Sequence, residues 1–140
     1  DEVITMLSLW SIFKSPMMIG AELPKLTGRE LALLTNQDVL NLLRLPSQAR
    51  QLERDEKHAI WMNTGESGEK YVALFNLSEE ERDLCVDLNC LEKYGVEAMY
   101  CNPVSGNETV ELWTKELGEV KNGVLIAAVR PHATKLYVVK

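Results

Sequence analysis

Cysteine is scarce in this sequence of 140 residues, and histidine is scarcer still. The three cysteines, Cys85, Cys90 and Cys101, are too few and too loosely spaced for a disulfide framework. With only two histidines beside them, the C-x4-C-x10-C spacing matches no structural zinc pattern. We therefore predict small buried thiols in a reducing cytoplasm, and no metal site.

Clusters of positive charge are also lacking. The net charge is −6, and no run of Lys and Arg is denser than that of residues 135–140. An acidic chain of this kind repels phosphate groups, so nucleic acid is disfavoured as a partner.

No hydrophobic run is long enough to cross a membrane. The apolar stretch Val3–Ile19 is interrupted by Lys14, Ser15 and Pro16, whereas a span needs about 20 consecutive apolar residues. A secretory signal would have a basic start, but this stretch follows Asp1 and Glu2. We expect no membrane partner.

Recognisable catalytic motifs are missing as well. The string nearest to a nucleophile elbow, residues 103–107, lacks its first Gly, and no Gly-rich phosphate loop is present. His58 is predicted on the solvent face of a strand and His132 in a tight turn after Pro131. Neither has an evident Ser or Cys partner in the sequence.

What the sequence does have is an unusually apolar beginning. Eleven of the 17 residues of Val3–Ile19 are apolar, and position 1 is not Met, which predicts that the 140 residues are the tail of a larger protein. Met6, Trp10 and Phe13 recur at helical spacing. A stripe of small hydroxyl residues occupies another face of the same helix and would permit close approach to a second element: Thr5, Ser8, Ser11 and Ser15.

Beyond Pro16, the pattern predicts a strand and a second helix. Residues 17–20 form a short apolar run closed by Gly, which is typical of a buried strand in a parallel sheet. Thr27 with Glu30 makes a capping box, which predicts a helix from Thr27 to about Asn36. Helix, strand and helix in this order are typical of an α/β body.

From Arg50 onward the hydrophobic period changes to two. Short strands separated by turn residues about every 8–12 positions indicate an antiparallel sandwich of about eight strands. We therefore divide the chain into residues 1–45 and residues 46–140. The predicted strands are Gln51–Arg54, His58–Met62, Lys70–Asn76, Asp83–Leu88, Val96–Cys101, Thr109–Thr114, Val124–Val129 and Lys135–Val139.

Three residues are candidates for binding a substrate. Glu22 follows the predicted strand 17–20 at the end where α/β barrels place their active sites, although a polar rim residue would look the same. Trp61 and Trp113 could offer flat apolar faces to a sugar. On alternating strands, however, they equally suit packing against a sheet.

Five segments resemble a known family. They are residues 9–20 (LWSIFKSPMMIG), 31–36 (LALLTN), 71–76 (YVALFN), 112–118 (LWTKELG) and 131–137 (PHATKLY). Together they resemble the C-terminal part of the α-galactosidases of glycoside hydrolase family twenty-seven. The resemblance extends over nearly the whole chain in the expected order. The sequence departs from the family pattern at Ala21 and Glu22, in the loop Asn102–Glu108, and in the segment Gln37–Leu42.

The resemblance implies a fold and an activity. Members fold as a (β/α)8 barrel followed by an antiparallel β-sandwich, so residues 1–45 would be the last part of the barrel and residues 46–140 the sandwich. They hydrolyse terminal α-linked galactose with retention, using two Asp residues and neither metal nor organic cofactor. A retaining pair stands about 5–5.5 Å apart. Because the strands that carry both Asp residues would precede Asp1, no catalytic residue carries over, and this chain alone is expected to be inactive.

Two other functions remain open at this stage. The chain could be a non-catalytic carbohydrate-binding or interaction module that binds a galactoside, in which case Trp61 or Trp113 should be exposed. It could also be an assembly domain. The partner of residues 3–19 is accordingly either the rest of a barrel or another copy of the chain.

Overall fold

The structure, a computed structural model, describes residues 2–46, 49–89, 91 and 108–140. In this part of the chain, three α-helices precede eight β-strands: α1 (Glu2–Phe13), α2 (Gly28–Leu34), α3 (Gln37–Arg44), β1 (Arg50–Arg54), β2 (His58–Thr64), β3 (Lys70–Asn76), β4 (Arg82–Asp87), β5 (Thr109–Glu111), β6 (Glu119–Lys121), β7 (Val124–Val129) and β8 (Thr134–Val139). A short 3-10 helix covers Leu23–Lys25.

All strand pairs are antiparallel and form two sheets. The larger sheet has the order β1-β2-β3-β8-β5, and the smaller has the order β4-β7-β6. The predicted β-sandwich is therefore confirmed. Strands Lys70–Asn76 and Val124–Val129 have the bounds predicted from the sequence.

The larger sheet is covered on both faces. Alternation along β3 sends Val72 and Leu74 toward the smaller sheet, whereas Ala73 and Phe75 face α1 and α3. β8 alternates in the same way, and the two faces belong to separate hydrophobic clusters. The molecule thus has three layers: helices, the five-stranded sheet and the three-stranded sheet.

One buried amide joins the two sheets. Asn76, at the end of β3, is 1% exposed. Its Nδ2 lies 2.7 Å from the carbonyl oxygen of Glu80, 2.8 Å from that of Val129 and 3.1 Å from that of Arg130. Its Oδ1 accepts hydrogen bonds from the backbone N–H and the hydroxyl of Ser78. The side chain therefore ties β3 to the end of β7.

The stripe of small residues on α1 faces the sandwich, as its spacing predicts. Ser8 and Ser11 are fully buried beside Leu7 and Ile12. Thr5 contacts the start of β8, because its hydroxyl accepts a hydrogen bond from the hydroxyl of Thr134 at 3.2 Å. Small side chains allow the helix to approach the sheet closely, and this contact holds α1 on the sandwich.

The predicted strand at residues 17–20 is wrong for this chain. The segment after Pro16 is irregular and reaches Gly20 without pairing to any described strand. Met18 is 80% exposed and Ile19 is 48% exposed. An apolar run predicts a strand only if a partner strand is present to accept its backbone hydrogen bonds, and none is available here.

The helices after this segment begin at recognisable caps. The capping box of Thr27 and Glu30 is present in full, which confirms that prediction, although α2 ends earlier than expected, at Leu34. α3 was not predicted from the sequence. Asn36 caps it by accepting hydrogen bonds from the backbone N–H groups of Asp38 and Val39.

The strands differ substantially from the predicted set in two places, and a third predicted strand cannot be compared. The strand predicted at Thr109–Thr114 ends at Glu111, because a turn begins there. β6 was missed, although the Asn122-Gly123 pair that follows it has positive φ angles of 51° and 78°, as a two-residue hairpin turn requires. The predicted strand Val96–Cys101 lies outside the described residues.

Candidate functional site

An exposed apolar surface lies on the outer side of α1 and on the chain that follows it. This side carries Val3, Met6 and Leu9, each between 39% and 44% exposed. A groove of about 410 Å³ lies between this helix, residues 18–21 and α2. Most residues lining the groove are apolar: Val3, Met6, Leu7, Trp10, Met18, Ile19, Gly20, Ala21, Leu26, Glu30 and Leu34. A contiguous surface of this kind usually marks an interaction site.

Glu22 stands apart from the other two candidate residues. It immediately precedes the 3-10 helix, and its exposed carboxylate forms an ion pair with Lys25. Among the described residues, no hydrogen bond, ion pair or ring contact joins it to either tryptophan. A binding role for Glu22 stays a prediction.

Trp61 is covered by α1. It lies on β2, on the face of the larger sheet that packs against the helices. Its ring centroid is 4.1 Å from that of Phe13, with the two planes inclined by 46°. Part of the Trp61 ring is therefore in contact with a neighbouring aromatic ring.

Trp113 is also held against α1. Its indole Nε1 donates a hydrogen bond of 2.8 Å to the hydroxyl of the buried Ser8. Its ring packs at the edge of the cluster between the helices and the larger sheet. Both tryptophans are half-buried and pack against α1, and a role of either residue in binding a sugar stays a prediction.

The histidines form local contacts. The side chain of His58 is only 13% exposed, so its predicted place on the solvent face is wrong. Its two ring nitrogens lie 3.2 Å from a carboxylate oxygen of Glu53 and 3.1 Å from one of Asp55. Backbone N–H groups of Lys57 and His58 hold the pKa of Asp55 below its ordinary value.

His132 occupies the predicted tight turn. Its backbone has a positive φ of 52°, and its exposed ring lies 3.1 Å from the Glu79 carboxylate.

Cys85 departs from the prediction of buried thiols. It is a free cysteine on β4 with an exposed side chain, because it points away from the core between the two sheets. Cys90 and Cys101 lie outside the described residues. In the described part of the chain, no cluster of His, Cys, Asp and Glu side chains could hold a metal ion. None of the described helices is long and apolar enough to span a membrane.

Glu111 is a buried carboxylate that the sequence analysis did not single out. It is 3% exposed and lies at the end of β5. One oxygen accepts hydrogen bonds from the backbone N–H groups of Trp113 and Thr114, at 2.9 and 2.6 Å, and the other accepts one from Leu136 at 3.1 Å. The carboxylate therefore organises the turn that carries Trp113 and fastens this turn to β8.

Tyr137 titrates far from its ordinary range. Burial of the ring, with a smaller contribution from the charges of Glu111 and Glu116, raises the pKa of Tyr137 to about 12. The phenol in the folded protein should therefore stay neutral at a pH at which the unfolded chain already loses this proton.

We expect this difference to make the protein less stable in strong base. The stabilisation that the raised pKa of Tyr137 provides is fully present below pH ~10. It is lost as the pH rises from ~10 to ~12, because only the unfolded state releases the proton in this window. The free energy of unfolding should fall by about 2 to 3 kcal/mol, because one pKa unit corresponds to ~1.36 kcal/mol. Urea unfolding between pH 8 and pH 12 measures it. Tyr137→Phe should weaken the dependence, leaving the smaller part due to Tyr71, whose pKa is also raised by burial.

Fold and surface together define a β-sandwich domain that carries a helical layer and an uncovered apolar face. Residues 55–139 match the family model described as the alpha galactosidase C-terminal beta sandwich domain. The chain therefore belongs to this family, which confirms the resemblance seen in the sequence.

Similar proteins support the same assignment. A β-L-arabinopyranosidase of glycoside hydrolase family 27 from Geobacillus stearothermophilus is 35% identical, with a TM-score of 0.84 over 100% of this chain and 30% of that one. Alpha-galactosidase D of Emericella nidulans is 35% identical over 88 residues, which are 60% of this chain and 13% of the relative. Alpha-galactosidase I of Mortierella vinacea shares the fold, with a TM-score of 0.81 at 16% identity, over 99% of this chain and 35% of its own. This chain thus spans about a third or less of the length of these relatives.

Proposed function

We propose that this chain is the C-terminal region of a retaining glycoside hydrolase that acts on terminal α-galactosides. In this proposal the catalytic carboxylate pair belongs to a barrel domain that the 140 residues do not contain. The substrate class is supported by the match of residues 55–139 to the alpha galactosidase C-terminal beta sandwich domain. The missing barrel is supported by the match to the β-L-arabinopyranosidase over the whole of this chain but only 30% of that enzyme. The role of this region is structural.

The exposed apolar face of α1 is the surface that docks on the rest of the barrel. One side of the helix already packs on the sandwich through Leu7 and Ile12, so only the opposite side remains for a partner. Met18 and Ile19 extend this surface into the irregular segment. A barrel strand beside this segment would supply the backbone partners that it lacks here.

A pair of adjacent residues tests this docking surface. Met6 is 41% exposed and Leu7 is 1% exposed, so Lys at the two positions should affect opposite faces of α1. In the isolated chain, Met6→Lys should change the stability by no more than about 0.5 kcal/mol, whereas Leu7→Lys should destabilise it by more than ~3 kcal/mol. In a longer protein that carries this chain, both variants should be strongly destabilising. A Met6→Lys variant as stable as the parent in both settings would remove the docking surface from the proposal.

Activity assays test the catalytic part. The isolated chain should not hydrolyse an aryl α-galactoside above a heat-killed control. The longer protein should hydrolyse it without added metal and release the sugar first as its α anomer, which NMR detects directly. Turnover by the isolated chain, or first release of the β anomer, would contradict the proposal.

The galactoside-binding module is less well supported as an alternative. It requires an open aromatic face, but Phe13 covers part of Trp61 and Ser8 engages Trp113.

A further inference from the structure

The turn that follows β5 contacts both helices that lie on the larger sheet. Trp113 donates its indole N–H to Ser8 in the middle of α1. The backbone carbonyl of Leu112 accepts a hydrogen bond of 2.9 Å from Nδ2 of Asn36, the cap of α3. Lys115 forms an ion pair with Asp38 in the first turn of α3. Three residues of one short turn therefore contact two helices that are distant from it in sequence.

This turn is itself anchored in the sheet. The Glu111 carboxylate holds the N–H groups of Trp113 and Thr114. Lys115 has a positive φ of 65°, and its N–H closes the turn onto the carbonyl of Glu111 at 2.9 Å. The residues that contact the helices are therefore held in place by hydrogen bonds within the turn and to β5.

The chain between the two helices has little support of its own. Neither the 3-10 helix nor α2 buries a single residue. Its two ends are held by the contact of Lys14 with the Leu45 carbonyl and by the contact of Asn36 with Leu112. The position of residues 14–36, which include Glu22, must therefore follow the positions of α1 and α3.

We propose that Trp113 is a positioning residue, which fixes α1 against the sandwich and thereby sets where the segment containing Glu22 is held. In this proposal the sandwich positions the segment that contains Glu22, in addition to covering apolar surface. The effect on catalysis rests on the proposed function, because it requires that this segment border the active site of the barrel. The effect on α1 does not depend on the proposed function.

Hydrogen exchange in the isolated chain tests whether Trp113 fixes α1 against the sandwich. Trp113→Phe keeps an aromatic ring but leaves the buried Ser8 hydroxyl without its donor. Exchange of the α1 amides should become roughly five- to a hundredfold faster, the range expected for an unpaired buried polar group. Ser8→Ala should have a similar effect, and the double variant should be little worse than either single variant, because both remove the same bond.

Trp61→Phe is the matched control. It also shortens an indole that packs on α1, but no hydrogen bond to the helix is lost with it, so the α1 amides should exchange at the parent rate. Amides of β3 and β8 should be unchanged in all four variants. Equal acceleration in the helix and in these strands, or none in the helix, would overturn the proposal.

Kinetics of the longer protein test the catalytic part. Trp113→Phe should lower kcat/KM for an aryl α-galactoside several-fold at a temperature well below its unfolding midpoint, and Glu119→Ala on the exposed strand β6 should not. An active enzyme whose kcat/KM is unchanged by Trp113→Phe overturns the positioning role while the proposed function stands. If the longer protein has no glycosidase activity, the proposed function fails, and the exchange experiment still decides whether Trp113 holds α1.

Discussion

Replacing Asn76 by Asp should destabilise the protein by at least about 3 to 5 kcal/mol, the cost of an unpaired buried charge. Three backbone carbonyl oxygens lie within 3.1 Å of the Asn76 nitrogen, so a carboxylate oxygen there would meet three acceptors and no donor. The site is almost fully excluded from solvent, which prevents water from relieving the conflict. Urea unfolding followed by tryptophan fluorescence measures the loss.

Ser78→Ala is the control for this substitution. It removes a hydroxyl that donates to the opposite end of the same amide, at Oδ1, but leaves the three carbonyl contacts in place. We expect a cost of about 1 kcal/mol or less. If Asn76→Asp were no more harmful than Ser78→Ala, the amide would not be the link between the sheets.

Glu111→Ala should produce the second large loss, about 3 to 5 kcal/mol, because three backbone N–H groups lose their acceptor together. The affected groups belong to Trp113, Thr114 and Leu136, so the turn after β5 and the adjoining part of β8 should both loosen. Thermal unfolding gives the overall loss, and hydrogen exchange at these three amides locates it.

The exposed Glu119 provides the comparison. It lies on β6 and pairs with Lys121 in solvent, so Glu119→Ala should leave the unfolding midpoint unchanged. A Glu111→Ala variant with the same midpoint as Glu119→Ala would show that water satisfies the three N–H groups as well as the carboxylate does.

The β-sandwich could be predicted because its signals are local. Strands β3 and β7 alternate clearly and end at turn residues, and both were predicted with their observed bounds. The capping box at Thr27 is also a local pattern, in which two side chains three residues apart satisfy each other's backbone groups. α3 was missed, although its cap at Asn36 and its buried Val39 and Leu42 follow the same local rules.

Other predictions failed where the outcome depends on individual side-chain contacts or on a partner strand, which the hydrophobic pattern of a segment does not contain. Residues 17–20 have the composition of a strand, but pairing needs a second strand that the described chain does not supply. The strand from Thr109 ends early because the Glu111 side chain captures the next backbone N–H groups. His58 is enclosed because two carboxylates of the same hairpin close over its ring.

The contacts of Trp113 and Glu111 could not be predicted from the sequence either. The sequence marks Trp113 as a large aromatic residue on a short strand, and this is equally compatible with sugar binding and with packing. Its partner Ser8 is 105 positions away, and no spacing rule connects the two. The burial of Glu111 could not be predicted, since a single Glu at the end of a strand is usually exposed to solvent.

The contact between Thr5 and Thr134 has a consequence for synthesis of the protein on the ribosome. The two residues are 129 positions apart, yet α1 packs on the strand to which Thr134 belongs. At ~5–20 residues per second, the apolar helix must wait roughly 6 to 25 seconds before that strand is even polymerised. During this interval the face of α1 that packs on the sandwich is available to chaperones and to other nascent chains, so production of this domain should depend on holdase capacity more than its final stability suggests.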